Sequence, residues 1–357
     1  MRLPVRQRPA ILRVTHVPFK AKSPRRRRRP VCVCTAAGDP ARTRRQRQGR
    51  GAGMNRHAGC IDMDWAAFDP WRVQAVRHRL MEHPLLQPDQ LVEFGRRLER
   101  AAQLYSFSND ATAGANFSEV GRTNPNRKSA QETLQDIGHA KAWMLLRHVQ
   151  GDPAYRGLVD SVLDEIKPQV EHKDPGMCYR AGWIFVSSPR TVTPFHIDRN
   201  HGILLQIRGS KTVYVWDPDD ITVVSDRARD WFHGHRELAL VKWQEEFRAR
   251  AHVFHLQPGM GVYMPLTSPH MVETSDEPST TLSLSYNTDA SRRNVLLHVV
   301  RDRMRGLGIG LPPVGRRPRF DAWLHAAAHA ADGTRRYVRH RLGRPAHFDG
   351  APYASDD

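Results

Sequence analysis

The chain has 357 residues, 39% of them hydrophobic and 26% charged, and its 55 Lys+Arg against 37 Asp+Glu leave a net charge of +18. That length is enough for one large domain or two small ones with a real core, and the apolar fraction excludes disorder over the whole length. No stretch approaches the roughly 18 consecutive apolar residues of a membrane span. Four cysteines (32, 34, 60 and 178) are too few for a disulfide scaffold, so a reducing, cytoplasmic setting is expected.

The charge is unevenly placed. Residues 1–53 hold 16 Lys+Arg and a single acid, Asp39, and include the run Arg25 to Arg29, whereas residues 54–357 hold 39 Lys+Arg and 36 Asp+Glu. With scattered Pro and Gly and no helical or strand period, residues 1–53 are expected to be disordered. Three readings of this basic segment stand: an arm on nucleic acid, an Arg-rich and acid-poor targeting peptide, or leader sequence ahead of a start at Met54 or Met63 and foreign to the native protein. The near-balance of the remainder gives no reason to expect a nucleic-acid partner for the folded part.

From 64 to 175 the pattern reads as helical. Pro88 and Asp89 open a segment with Leu91, Phe94, Leu98 and Ala101 on one face. Ser129-x-x-Glu132 matches a capping box ahead of Leu134, Ile137, Lys141, Met144 and Leu145. Asp152-Pro153 starts a third helix carrying Leu158, Val159, Val162, Ile166 and Val170 on one stripe. Between them, residues 105–127 are rich in Asn, Ser, Gly and Thr and read as a long irregular stretch, of the kind that often serves function.

Near Met177 the period falls from about 3.6 to 2. Short β-rich runs follow at 179–187, 191–197, 203–207, 212–216, 253–256, 261–264, 271–274 and 281–286, separated by turn signals such as Arg208-Gly209-Ser210 and Pro258-Gly259. A polar helical insertion, 219–251, interrupts them, and helical patterning returns over 295–304 and 320–331. The expected fold is α+β. A double-stranded β-helix, or jelly roll, spans 176–290, with an N-terminal helical region, the insertion, and C-terminal helices over 291–345.

The candidate chemistry lies in His196-Ile197-Asp198. On a strand, residues i and i+2 share a face, so His196 and Asp198 project together. With a third ligand from a distant strand they would make a 2-His-1-carboxylate triad, which leaves positions open on Fe(II). The motif is weak alone, because His172/Asp174, His235/Glu237 and His347/Asp349 also match it. Only the second in chain order sits on a β-rich run with a partner: His270 follows the turn and strand of 258–265. His252 and His255 compete with it for the third place.

Over Thr193-Pro194-Phe195-His196-Ile197-Asp198, Leu205-Gln206-Ile207-Arg208-Gly209-Ser210-Lys211 and Trp216-Asp217-Pro218, and again over 258–270, the sequence resembles the cupin-like JmjC family of Fe(II)/2-oxoglutarate oxygenases, hydroxylase type. The resemblance implies that His196, Asp198 and His270 bind Fe(II). It implies that Lys211 pairs with the distal carboxylate of 2-oxoglutarate and that Thr193 donates a hydroxyl to it, with O2 as the second co-substrate. Without that pattern Lys211 reads as an exposed strand residue. One position departs: Gly202 stands where these hydroxylases commonly have asparagine, and Asn200 or His201 are the candidates to replace it. Ser285 and Asn287 on the last strand are co-substrate contacts or structural residues.

The implied reaction is hydroxylation of a protein side chain or a small molecule, with release of succinate and CO2. The alternatives are a non-catalytic cupin-like ligand-sensing regulator with a basic arm, or a metal cupin using three or four histidines. No membrane association is expected, and the C-terminal helices are candidates for a homodimer contact.

Overall fold

The computed structural model describes residues 59–341. The basic segment 1–53, with Cys32 and Cys34, and the pair His347/Asp349 lie outside them. In the first half the strands β1 (Ile61–Asp62), β2 (Gln74–His78), β3 (Leu104–Ser108) and β4 (Ala142–Leu146) alternate with helices α1 (Pro88–Arg100), α2 (Val120–Thr123), α3 (Ala130–Gln135) and α4 (Pro153–Lys173). The second half runs β5 (Cys178–Ser187), β6 (Val192–His196), β7 (His201–Arg208), β8 (Lys211–Val215), α5 (Asp226–His235), β9 (His252–Leu256), β10 (Met260–Met264), β11 (His270–Thr274), β12 (Ser279–Asn287), α6 (Asp289–Gly306) and α7 (Pro318–Arg341).

All strand pairings are antiparallel. One sheet has the order β1-β2-β10-β7-β12-β5-β4-β3 and the other β6-β11-β8-β9. Chain connections cross repeatedly between them, the signature of a double-stranded β-helix. Its interior is apolar: Leu204, Val262 and Met264 of the large sheet meet Val213, Val215, Leu256 and Val272 of the small one. The outer face of the large sheet is covered by α1 and α4 through Leu91, Phe94, Val159, Val162 and Ile166. That two-sided burial explains why β7 reads as a continuous apolar run rather than an alternation. Gly209 turns β7 into β8 at φ +64°, where a Cβ would run into the Pro278 carbonyl.

All eight expected strands of the second half are present, within two residues at each end. The first half differs from its helical reading, because four strands lie within residues 59–175 and extend the large sheet. The Ser129–Glu132 capping box forms, with the Glu132 N–H donating to Ser129 Oγ at 3.2 Å and the Ser129 N–H to Glu132 Oε2 at 2.8 Å. Yet α3 ends at Gln135, and Ala142–Leu146 is a strand with all five residues buried. A five-residue apolar run fits a helix face and a two-sided strand equally well, and Lys141 at φ +53° breaks any helical continuation. The expected irregular stretch 105–127 begins inside β3 and contains α2.

The insertion is fixed at both faces. Phe232 and Phe247 pack with Phe195, Trp216 and Met271 on the outside of the small sheet. On its other side Asp230, fully buried, accepts from His298 Nδ1 at 2.8 Å, Arg301 Nε at 3.0 Å and Arg305 Nη2 at 2.8 Å, all on α6. Burial alone would raise the Asp230 pKa, but the hydrogen bonds and charges of these partners hold it below the usual carboxylate value. Asp230→Ala would strand a buried guanidinium, so we expect a loss of about 3–5 kcal/mol in urea unfolding, less in Asp230→Asn. A loss below about 1 kcal/mol would show that α5 is held by packing alone.

No helix among the described residues is long and apolar enough to cross a membrane. Cys60 and Cys178 are free thiols.

Candidate metal centre and its cavity

The last residue of β6 and the first of β11 are His196 and His270, and they stand directly opposite each other in the antiparallel ladder. Their rings therefore leave the small sheet at one place, with centroids 4.1 Å apart. Asp198, two residues past His196, turns to the same point. One ligand atom from each of the three lies within 4.8 Å of the others, and no other such group of His, Cys, Asp or Glu occurs among the described residues.

Backbone geometry sets the state of both rings. His196 Nδ1 is 2.7 Å from the Pro194 carbonyl and His270 Nδ1 is 3.0 Å from the Ser268 carbonyl. A carbonyl can only accept, so Nδ1 carries the proton and Nε2 keeps its lone pair. Burial, followed by the proximity of His270, pushes the His196 pKa well below the usual imidazole value. The set thus offers two Nε2 atoms and one carboxylate, with Asp198 Oδ2 3.7 Å from His270 Nε2. These residues fit a divalent first-row cation with open positions left over. Phe117, from the loop before α2, stacks on His196 at 4.3 Å and 12° and fixes the ring plane.

A cavity of about 530 Å³ opens from this triad. Lys211, the first residue of β8, lies in its wall and is only 5% exposed, which removes the reading of an exposed strand residue. Burial, with no acidic neighbour acting against it, lowers its pKa from 10.5 to about 7. A carboxylate brought into the cavity would restore the charged form. Thr193 Oγ1 accepts from Trp143 Nε1 at 2.9 Å, so its own proton is left to donate. Asn200 and Ser285 also line the cavity, joined by an Nδ2–Oγ hydrogen bond of 3.0 Å.

Gly202 is in the lining, and a Cβ there would touch nothing nearer than Met264 Cε at 3.7 Å, so the missing side chain leaves room. Of its two candidate substitutes only Asn200 lines the cavity. His201 is buried in the large sheet, its Nδ1 3.0 Å from the Tyr263 hydroxyl.

Asn287 is not brought here either. It is the last residue of β12, and its Oδ1 accepts from the Ser291 hydroxyl at 3.1 Å, at the start of α6. His252 and His255 are exposed on β9, 3.2 Å from Asp217 and 3.1 Å from Thr212. Among the described residues, His196 and His270 are the only histidines in the lining, which disfavours a cupin centre of three or four histidines. Asp174 of the His172/Asp174 match accepts from Thr288 within the core, and His235/Glu237 is exposed at the C-terminal end of α5.

The stretch 105–127 and the insertion 219–251 both contribute to the lining. Tyr105, Phe117 and Ser118 contribute from the first, and Phe232, Arg236 and Leu238 from the insertion. Sequence reasoning missed Leu145 and Arg147, at and just after β4, because that segment reads as helix, and it missed Trp183 and Phe185 because the strand pattern of β5 does not show which face meets the cavity. Phe117 carried no signal, being one aromatic in a polar loop.

The chain matches the cupin-like domain family over residues 58–292, which include every candidate site residue. No curated protein matches in sequence. Among solved structures, it is similar to YcfD of Escherichia coli at 14% identity and a TM-score of 0.42, covering 81% of this chain and 71% of that one. A structure described as YcfD, a ribosomal oxygenase from Escherichia coli, with cobalt and 2-oxoglutarate gives 14% identity, a TM-score of 0.38 and coverages of 78% and 65%. The DMSP lyase DddQ from Ruegeria pomeroyi gives 19%, 0.20, and coverages of 31% and 39%. With the family match spanning the whole β-helix and the Thr193–Pro218 and 258–270 motifs inside it, the chain belongs to the cupin-like domain family.

Proposed function

We propose that this chain is an Fe(II)- and 2-oxoglutarate-dependent oxygenase that hydroxylates a protein side chain or a small molecule. The observation that carries the reading is the meeting, in one cavity, of the His196–Asp198–His270 donor set with a buried lysine that lacks an acidic partner. A resident metal and a dicarboxylate co-substrate together account for both. Simple sugar- or ligand-sensing in a barrel accounts for neither.

In this reading His196, Asp198 and His270 hold Fe(II) through Nε2, a carboxylate oxygen and Nε2. Bound Fe(II) supplies the oxidation: 2-oxoglutarate and O2 are converted to succinate and CO2, with one oxygen atom delivered to the substrate. The protein's share is orientation. Lys211 and Thr193 receive the distal carboxylate by a charge-assisted and a neutral hydrogen bond. Phe117 and the Pro194 and Ser268 carbonyls keep the ligand rings from rotating, and Tyr105 and Phe232 help to exclude water. Residues 59–292 do all of this. A homodimer through the C-terminal helices would fall to α7, since α6 is already packed on α5.

The test is anaerobic titration of the purified protein with Fe(II) and then 2-oxoglutarate. We expect a weak visible charge-transfer band that requires both additions and bleaches in air. A protein that binds metal without developing the band refutes the proposal. Thr193→Val keeps the shape but removes the hydroxyl and orphans the Trp143 N–H. Its 2-oxoglutarate affinity, measured by the same titration, should fall about tenfold.

A further inference from the structure

The two candidate histidine ligands are supported unequally by the sheet. His270 lies on β11, which is paired on both sides, with His196 of β6 opposite it on one and Val215 of β8 on the other. His196 ends β6, an edge strand of the small sheet. The stretch 109–123 covers that edge, as loops often do. It leaves β3 and returns to where it left, the Ser108 N–H donating to the Asn124 carbonyl at 2.8 Å and closing the loop at its base. Within it the Ala113 carbonyl accepts from the Phe195 N–H at 3.0 Å, one residue before His196. Farther on, the Phe117 ring lies flat on the His196 imidazole, and Tyr105 and Trp143 meet Phe117 edge-on at 6.0 and 5.8 Å. The Tyr105 hydroxyl, on β3, ties this loop down. It donates to the Phe117 carbonyl at 2.7 Å and accepts from the Gly121 N–H at 2.9 Å.

We infer that Tyr105 is a positioning residue for the metal centre: its hydroxyl seats the loop 109–123 through Phe117 and so fixes the plane, and with it the Nε2 direction, of His196. This rests on the reading of His196, Asp198 and His270 as metal ligands. Hydrogen-bond directions at a carbonyl are broad, so the 2.7 Å bond between His196 Nδ1 and the Pro194 carbonyl points the ring without fixing its tilt. Flat contact with an aromatic face fixes the tilt. His270 takes its rigidity from an interior strand, whereas His196 on the edge takes it from the loop. Packing alone would be served by phenylalanine at 105. The hydroxyl is accounted for by the two backbone groups that it joins, one at the residue that stacks on His196.

The test uses full-length protein loaded with Co(II), whose paramagnetism moves the Nδ1–H resonance of each coordinated imidazole clear of the rest of the NMR spectrum. Phe117→Leu marks the His196 resonance, because it removes the ring current over that imidazole. In Tyr105→Phe the His196 Nδ1–H should exchange with solvent at least ~tenfold faster, with that of His270 unchanged within about twofold. Co(II) affinity should fall about fivefold, the worth of one hydrogen bond. Gly121→Ala tests the same seat with the hydroxyl in place, since a Cβ there would fall 2.5 Å from Tyr105 Cε2. It should give the same selective change, and it decides the matter if Tyr105→Phe does not fold. Because Tyr105 acts through Phe117, adding Tyr105→Phe to Phe117→Leu should alter His196 exchange by less than about twofold. Exchange that quickens equally at both imidazoles or at neither, or effects that multiply in the double variant, overturns the inference alone. A wild type that binds Co(II) without two such resonances fails the metal reading, and this inference with it.

Discussion

Asp198→Ala is expected to abolish turnover and weaken divalent-metal binding by at least ~100-fold while leaving the apoprotein as stable as the wild type. The two halves of this expectation come from one placement. Asp198 lies beyond the end of β6 with its side chain 56% exposed, and its Oδ2 is 3.7 Å from His270 Nε2. Its backbone carbonyl, which accepts from the Thr267 N–H at 3.0 Å, survives the substitution. Truncating an exposed side chain of this kind typically changes stability by within about 0.5 kcal/mol. Removing one of three ligands, and the only negative charge among them, removes the neutralising partner that a divalent ion needs. The measurement is thermal unfolding with and without Mn(II). Because a ligand that binds only the native state stabilises it by mass action, Mn(II) should raise the melting temperature of the wild type and leave that of Asp198→Ala unchanged. Equal metal-induced shifts would remove Asp198 from the donor set.

The β-helix was legible because alternation and turn chemistry act locally. Each strand of the second half is bounded by Gly, Pro or Asp-Pro signals, and its inward residues face a single apolar interior. His196 and Asp198 were legible for the same reason, since i and i+2 share a face. Pairing His270 with them needed the register of β6 against β11, which no local pattern contains. The resemblance carried that step. What stayed hidden depends on two-sided burial and long-range packing. Ala142–Leu146 has no polar face because Met144 and Leu146 pack with Phe94 and Leu134 of the helices while Trp143 and Leu145 pack with Phe107, Ala111 and Val120, and with its strand identity went Trp143, the donor to Thr193, and Arg147. Asn287 ends β12, where Ser291 of α6 takes its side chain, a contact at a strand end that alternation cannot foresee. The +18 net charge pointed away from the site altogether: what matters there is the single buried ammonium of Lys211 beside the triad, a placement invisible until the chain is folded.

Lys211→Met is expected to do two opposite things, stabilise the apoprotein and abolish 2-oxoglutarate binding. Lys211 is only 5% exposed, and burial lowers its pKa from 10.5 to about 7. Below pH 7 both folded and unfolded chains carry the proton, and the folded state bears the full cost of a buried ammonium. Between pH 7 and 10.5 the unfolded chain binds more protons than the folded one, so stability rises with pH across that window and the cost is gone above it. A shift of this size corresponds to a penalty on the order of 5 kcal/mol at low pH. Methionine has a similar length and no charge, so the variant should melt well above the wild type at pH 6, with the gap closing by pH 9.5. In the presence of 2-oxoglutarate the order inverts. The distal carboxylate converts the buried ammonium from a liability into half of an ion pair, and the wild type should gain stability that Lys211→Met cannot. Its affinity for 2-oxoglutarate, by anaerobic titration, should fall at least ~100-fold with metal binding retained. A lysine kept buried at a cost to folding is explained by the anion it awaits. A variant no more stable at pH 6 than at pH 9.5 relative to the wild type, or one that still binds 2-oxoglutarate, would detach Lys211 from that role.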